Sequence, residues 1–575
     1  MSTRTKVTIA CASGFWGDTP LAVEQILATK ELDYIVSDYL SEVTMAILAR
    51  LMKKDPQKGY VADFLTDVIE PHLQEISTRK IRLVTNAGAL NPRALKAAIE
   101  AIAEKKNLSV KVVAVTGDDL LGNPALGDWV TDLSGERKAT KDFLSANAYL
   151  GAPGIVAALE LGADIVVTGR IVDTALVTGP AVFALKKDFS DFGFLAGASL
   201  AGHIVECGTQ CSGGNFTDWS TVPDRHNVGF PVITLSSDGS FVVTKPPGTG
   251  GLVTNATVTE QLVYEIGDPR NYLLPDVACD FSQVQVKALG ENKVSVTGAQ
   301  GRDPGDSYKV CATVREGYKI HATAFVKGGD AKAKARDVGG KILERVTLAM
   351  EQRKLSPFSA TRIETLGGGD EILLRLSAIH ERPDPLEILS KEIAPASTGL
   401  APGLTNLLGG RPQWVPRIRL VSFLVPKKSL EVKADGKDVT VPTGGALALN
   451  EGASLPPRST PGKKKKVLLR AIAHARSGDK GNDVNIGVIA REEKFHRAIA
   501  EALSPEVVGK FFGDEFDDPS RKIVHRWELP GIGAHNFLLK NCLGGGGASS
   551  LSVDPQGKAW AQRLLELELE IPETL

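Results

Sequence analysis

Short apolar runs alternate with amphipathic stretches through the first 180 residues, and this constrains the fold more than any other feature. Lys6–Ala12, Asp33–Val36, Ile81–Thr85, Val110–Thr116 and Asp164–Thr168 read as strands. Thr19-Pro20 opens a helix with the stripe Val23, Ile26 and Leu27, Thr19 serving as its cap. Val43, Ile47, Leu48 and Leu51 mark a second helix, Asn91-Pro92 starts another, and Pro153–Leu161 ends at Gly162. Strands separated by helices of this length form βαβ units and a parallel sheet, so the fold class is α/β.

The residues just past each strand point to a site. The runs are Gly14-Phe15-Trp16-Gly17-Asp18, Ser37-Asp38, Asn86-Ala87-Gly88, Gly117-Asp118-Asp119 and Gly169-Arg170-Ile171-Val172-Asp173. All five lie at the carboxyl ends of their strands, where open α/β sheets bind ligands. Asp18, Asp38 and Asn86 are therefore candidate substrate contacts, and Asp118 a candidate for proton transfer. Arg170 suits a carboxylate or phosphate, and Asp173 a general base. The competing reading is polar loops with capping aspartates and a structural Arg170–Asp173 pair.

From about residue 230 the pattern becomes short strands and turns, then a long helix near Lys332–Met350, which reads as an α+β lobe over 231–448. Residues 449–466 form a Pro-, Ser- and Gly-rich linker ending in Lys463–Lys466, and 467–575 a small separate domain. Its expected strands are Val467–His474, Val484–Ala490 and Lys522–Glu528. The four lysines read as a solvated run, because the net charge of -1 gives no global field for nucleic acid or an anionic membrane. No stretch of about 18 apolar residues predicts a membrane helix. Six cysteines in 575 residues are not a disulfide scaffold, and the cytosol is the expected compartment. A multidomain chain of this size is expected to form a closed homo-oligomer.

The familiar catalytic signatures are missing: there is no G-x-S-x-G elbow, phosphate loop, dinucleotide fingerprint, C-x-x-C or H-E-x-x-H. The densest chemistry lies in Ala201–Phe216. His203 and Glu206 are three apart and share a helix face, which suits acid–base work. Gly213, Gly214 and Asn215 offer donors for an oxyanion. His203, Glu206, Cys207 and Cys211 are an alternative metal set, although their spacing fits no standard zinc pattern. Lys245–Thr254 is a Gly-rich loop before a helix, where Lys245, Gly250 and Gly251 either hold an anion or only set the turn. In the small domain, Ala475–Asn485 brings Arg476, Asp479 and Lys480 together, and Leu543–Ser549 is a second Gly-rich loop. Each is a phosphate cradle, a turn or a domain contact.

Five of these segments, GFWGDTP, VTGRIVDTALVTGP, AGHIVECGTQCSGGNFTDW, TKPPGTGGLVTNATVTEQLVYEIGDP and AHARSGDKGNDVNIGVIAR, together resemble the acyclic terpene utilisation family, AtuA type. The likeness spans nearly the whole chain. It implies a large N-terminal domain, a C-terminal ferredoxin-like α+β domain, and breakdown of branched or isoprenoid-derived acids through coenzyme A thioesters. The expectation is an enzyme that hydrates or cleaves such an acyl-CoA or acid. It would use no tightly bound cofactor, with coenzyme A present only as part of the substrate. The alternatives are a metal-dependent hydrolase or isomerase and a non-catalytic assembly subunit.

Overall fold

The computed structural model describes residues 4–405, 410–445 and 462–575. Five parallel strands form the centre of the large sheet: β1 (Lys6–Cys11), β2 (Tyr34–Ser37), β3 (Arg82–Thr85), β4 (Val112–Thr116) and β5 (Ile165–Thr168). Their spatial order is β1-β2-β3-β5-β4, every neighbouring pair parallel. Each is an apolar run buried on both faces, as parallel strands between helix layers must be.

Several expected boundaries move. Val232–Ser236 and Phe241–Thr244 add antiparallel to the β1 edge and Lys293–Thr297 continues the row, so these strands extend the main sheet. The lobe sheet is built on the strand Ser307–Lys327, which pairs with Glu371–His380, Trp414–Pro426 and the earlier Phe143–Ala148. Helices Ala331–Gln352 and Pro383–Glu392 cover it with a core of their own. The break near 230 is thus not a lobe boundary, because a strand hairpin satisfies the open edge of β1.

Helix details differ too. The first helix is Ala22–Leu27 with no side-chain cap, so Thr19 does not cap it. In helix Glu42–Lys54 the buried face is Thr44, Met45, Ala46 and Leu48, while Val43, Ile47 and Leu51 are exposed. The apolar period is real, but its direction depends on which side the sheet lies. Asn91 caps helix Pro92–Lys105 as expected, accepting from Ala94 N.

In the small domain the order is strand, helical turn, two strands, two helices, two strands, helix, strand. Its sheet runs Ala473–Lys480, Asp483–Ala490, Ala534–Leu539, Val524–Leu529, all antiparallel. The expected strand Val467–His474 is broken: Lys464–Leu468 pairs with Glu568–Pro572, and a helical turn Leu469–Ile472 separates it from the next strand. Three of the four linker lysines therefore belong to that ribbon, and residues 449–461 of the expected linker lie outside the described residues. Ala475–Asn485 is not a loop but most of a hairpin turning at Gly481-Asn482.

His535 of this sheet stacks on His496 at 4.6 Å, and burial first, then His496, pushes it down from 6.5 to about 3. Below pH 6.5 the unfolded chain takes up a proton there that the folded chain refuses, so stability falls as pH drops from 6.5 toward 3. His535→Phe keeps the stacked ring and is expected to flatten that part of the curve. Urea unfolding across the window measures it, and equal slopes in both proteins would assign the acid loss to other groups.

Candidate functional site

The two edges of the parallel strands differ. At the amino edge a groove of about 370 Å³ is bordered by Arg4, Asp33, Arg82 and Asp164. Its charges are committed: Arg4 pairs with Asp33, and Asp164 accepts from Lys111 N at 2.8 Å. At the carboxyl edge buried titratable groups accumulate and act on one another.

Asp38 follows β2 and Asn86 follows β3. Asn86 Nδ2 donates to Asp38 Oδ1 at 2.6 Å, and Asn86 Oδ1 accepts from Tyr39 N at 2.9 Å. Arg170 and Asp173 follow β5, and Arg170 Nη1 lies 2.7 Å from Asp173 Oδ1. Arg170 is 5% exposed but Asp173 is 35% exposed, so the pair points a carboxylate at open space from a buried cation. Glu42 begins helix Glu42–Lys54 and accepts from Tyr149 Oη at 2.6 Å. Arg170 and Lys309 both sit over the Tyr149 ring, at 4.2 and 5.1 Å.

His203 lies in the last turn of helix Phe192–Val205, and Glu206 caps it. His203 Nδ1 is 3.0 Å from Glu206 Oε1, as their spacing predicts. His203 Nε2 faces the Leu262 carbonyl at 3.3 Å, so Nε2 carries a hydrogen. One further proton is then shared between Nδ1 and Oε1. That leaves either a neutral imidazole with a carboxylic acid or an imidazolium with a carboxylate.

Electrostatics join these groups. Burial raises Glu206, and Asp173 raises it further against the pull of His203. Burial and then Asp173 lift Asp38 well above the ordinary carboxyl value, with Arg170 and Asn86 opposing. Burial would raise Glu42 as well, but Lys309, Arg170 and Tyr149 outweigh it and hold Glu42 at about 2. One cluster, referred to below as the cleft, thus contains carboxyls pushed in opposite directions, the arrangement that separates acid from base.

The small domain closes the far side. Asp479 and Lys480 end the strand Ala473–Lys480, and Lys558 Nζ bonds Glu265 Oε1 at 2.7 Å and Asp479 Oδ1 at 3.2 Å. Burial and Glu265 raise Asp479 to about 6, against Lys558. A Cβ on Gly478 would collide with Glu265 Oε1, so the close approach of this strand requires glycine. Arg476 bonds Gln210 Oε1 and, at 3.3 Å, the Asn215 carbonyl, and stacks over Tyr264 at 4.4 Å. Asp218 and Arg491 fasten the seam through two bonds of 2.6 and 2.7 Å.

Other sequence candidates lie outside this cleft. Asp118 Oδ2 accepts from Arg170 N at 2.9 Å and Asn147 Nδ2 at 2.8 Å, so it holds the Arg170 turn in place rather than facing open space. Both Asp18 oxygens accept from its own turn, at Gly14 N and Thr19 N. The Gly213 and Gly214 amides bond Gln210 O and Thr209 O, and Asn215 is exposed, so no oxyanion hole is formed there. The Gly250 and Gly251 amides bond Asn227 O and Pro223 O, and Lys245 Nζ bonds Thr249 O, so that loop is closed on itself. Helix Asn255–Leu262 beyond it is capped by Thr254. Among the described residues, no three His, Cys, Asp or Glu side chains are placed to hold a metal ion, and Cys211 is wholly buried in the core.

Glu42, Tyr149, Glu265, Lys309 and Lys558 were not among the sequence candidates. No local motif marks them. Glu42 carried a signal, four residues after Asp38 in the same loop-to-helix segment, and Glu265 lies within the quoted segment TKPPGTGGLVTNATVTEQLVYEIGDP.

The fold and this cluster define a two-domain α/β protein with buried, mutually interacting titratable groups at the carboxyl edge of its parallel sheet. The family model for the acyclic terpene utilisation family protein AtuA matches residues 7–435, and that for the AtuA ferredoxin-like domain matches 467–570. The chain therefore belongs to the acyclic terpene utilisation (AtuA) family, which links it to isoprenoid catabolism. No curated protein matches it. No helix among the described residues is long and apolar enough to cross a membrane.

Proposed function

We propose that the protein is an acid–base enzyme acting on a branched acyl compound, a coenzyme A thioester or the related acid, by hydration or retro-aldol cleavage. The supporting observation is the set Asp38, Asp173, Glu206 and His203 around the buried Arg170. Hydration of an α,β-unsaturated acyl group joins the water oxygen to the β-carbon and puts a proton on the α-carbon. It needs a base for the water, an acid for the carbon and a positive field for the enolate-like oxygen. Asp173, held by Arg170, takes the water proton. The proton shared by Glu206 and His203 goes to carbon, and Arg170 stabilises the developing charge. In retro-aldol cleavage Asp173 takes the β-hydroxyl proton, the α–β bond breaks, and the same shared proton quenches the enolate. Lys309 and Lys480, exposed beside the cleft, suit the anionic end of the substrate.

The test is incubation with a panel of acyl-CoA thioesters and free branched acids, every mass followed by liquid chromatography–mass spectrometry. Gain or loss of water, or release of an acetyl fragment, is the expected result, and a folded protein that changes nothing overturns the reading. Asp173→Asn is expected to lower turnover by about 100-fold or more in a protein that still folds, with a lowered melting temperature because the buried Arg170 loses its nearest carboxylate. Turnover within a few-fold of wild type would remove Asp173 from the mechanism.

A further inference from the structure

A second polar cluster lies on the same long strand as Lys309 but about ten residues on, roughly 30 Å away at ~3.3 Å per residue. Here the lobe sheet meets the Gly-rich loop Leu543–Ser549. Lys319, Arg375 and Arg417 stand on three strands of that sheet. Lys319 Nζ donates to Ser550 O at 3.2 Å, and Arg375 Nη1 to Leu551 O at 2.5 Å. The loop thus drapes over a row of cations. Burial first, and then the neighbouring cations Arg375 and Arg417, push the Lys319 ammonium down to about 8. Of the bordering carboxylates, Glu364 pairs with Arg375 and Arg362, Glu316 pairs with Arg419 as well as Arg417 at 3.7 Å, and Asp517 accepts from Gly544 N at 3.0 Å and Asn482 Nδ2 at 2.8 Å on the loop's outer side. His321 Nδ1 lies between Ser377 Oγ at 2.8 Å and Arg375 Nη2 at 2.9 Å, so it brings no negative charge.

Two buried polar atoms at this junction have no partner: Ser549 Oγ, on a residue 1% exposed, and Arg417 Nε. An unsatisfied buried hydroxyl beside an unsatisfied guanidinium N–H is expensive unless something fills the place. Gly544, Gly545 and Gly546 all have positive φ, 61°, 93° and 88°, a path that only glycine follows without strain. A Cβ at Gly545 would sit 3.0 Å from Ser549 Oγ and 3.4 Å from Arg417 Nη2. The bare glycine backbone is what lets the loop close against both groups.

We propose that Lys319, Arg417 and the Leu543–Ser549 loop form an anion site for a phosphate-bearing ligand, separate from the acid–base cleft. Phosphate oxygens would accept from Ser549 Oγ, Arg417 Nε and Lys319 Nζ, which a single neutral water cannot serve together. The shared chemistry is a mono- or diphosphate, free or carried on a nucleotide.

Inorganic pyrophosphate is the probe, used on the intact chain. An amine-reactive reagent labels Lys319, and peptide mapping follows the rate. At ten times the dissociation constant, pyrophosphate is expected to slow that labelling about elevenfold, with the exposed Lys287 unaffected. Arg417→Gln is expected to weaken pyrophosphate binding about ten- to a hundredfold by calorimetry. Ser549→Ala, a smaller change, is expected to weaken it by less. ADP in place of pyrophosphate separates a nucleotide-borne phosphate from a free one. Failure of both probes to bind, or binding that leaves Lys319 labelling unchanged, overturns the site. None of these readouts depends on turnover, so the result is independent of the acid–base reading.

Discussion

Glu206→Gln is expected to lower turnover by about 10²- to 10⁴-fold, the usual worth of a positioned acid or base, while the protein stays folded. Glutamine has the same shape and can still meet His203 Nδ1, 3.0 Å away, by donating from its amide. What it removes is the proton that moves between Nδ1 and Oε1. Substrate binding depends on Arg170 and the lysines at the rim, so KM should change little and the loss should fall on kcat. The pH profile gives a second reading. Burial and Asp173 raise Glu206, so in wild type its acid form persists above the ordinary carboxyl range. Wild-type turnover should therefore hold on the acidic side and fall as Glu206 loses its proton, and the variant should lack that limb. The measurements are kcat, KM and their pH dependence on the substrate found in the panel, beside a melting curve. A variant within a few-fold of wild type, or one that loses binding alone, would sink the assignment.

The sequence showed the parallel strands because they are buried on both faces and so read as unbroken apolar runs. It showed His203 and Glu206 because an i, i+3 pair meets whenever the segment is helical. It could not show that Lys309, Glu265 and Lys558 come to the cleft, which they do only because the lobe strand and the small domain fold back onto the sheet edge. The Gly-rich segments misled in a consistent way. At Gly213, Gly214, Gly250 and Gly251 the amides bond neighbouring carbonyls, so glycine there serves turn geometry rather than a ligand. The amides of Gly544, Gly545 and Gly546 are taken as well, by Asp517 Oδ1, Asn482 Oδ1 and Leu543 O, and this loop differs only in the cations and unpartnered side-chain atoms beneath it. Similarly, the aspartates after the strands look alike in sequence. Only the structure separates Asp118, which is tied to backbone and amide, from Asp38 and Asp173, which share the field of Arg170.

Arg170→Met should be the most damaging single change in the cleft. Its guanidinium opposes the rise of Asp38, helps hold Glu42 at about 2 and pairs with Asp173 at 2.7 Å. Methionine fills much of the stem but leaves three carboxyl groups without that cation. Removing one partner of a buried ion pair typically destabilises by about 3–5 kcal/mol. The loss should depend on pH in a defined direction. Glu42 has a depressed value, so its stabilising contribution is present above its ordinary 4.5 and disappears as pH falls through about 2. Asp38 has a raised value, so holding it folded is unfavourable above its ordinary 3.8, and more so without Arg170. Both effects make the deficit of the variant largest near neutral pH and smaller as the solution is acidified through 4.5. Lys309 still faces Glu42, so the deficit should narrow without reversing. Unfolding of both proteins across that range gives the answer. A deficit of constant size would mean that Arg170 stabilises by packing over Tyr149 alone, at 4.2 Å, and that the carboxyls do not feel its charge.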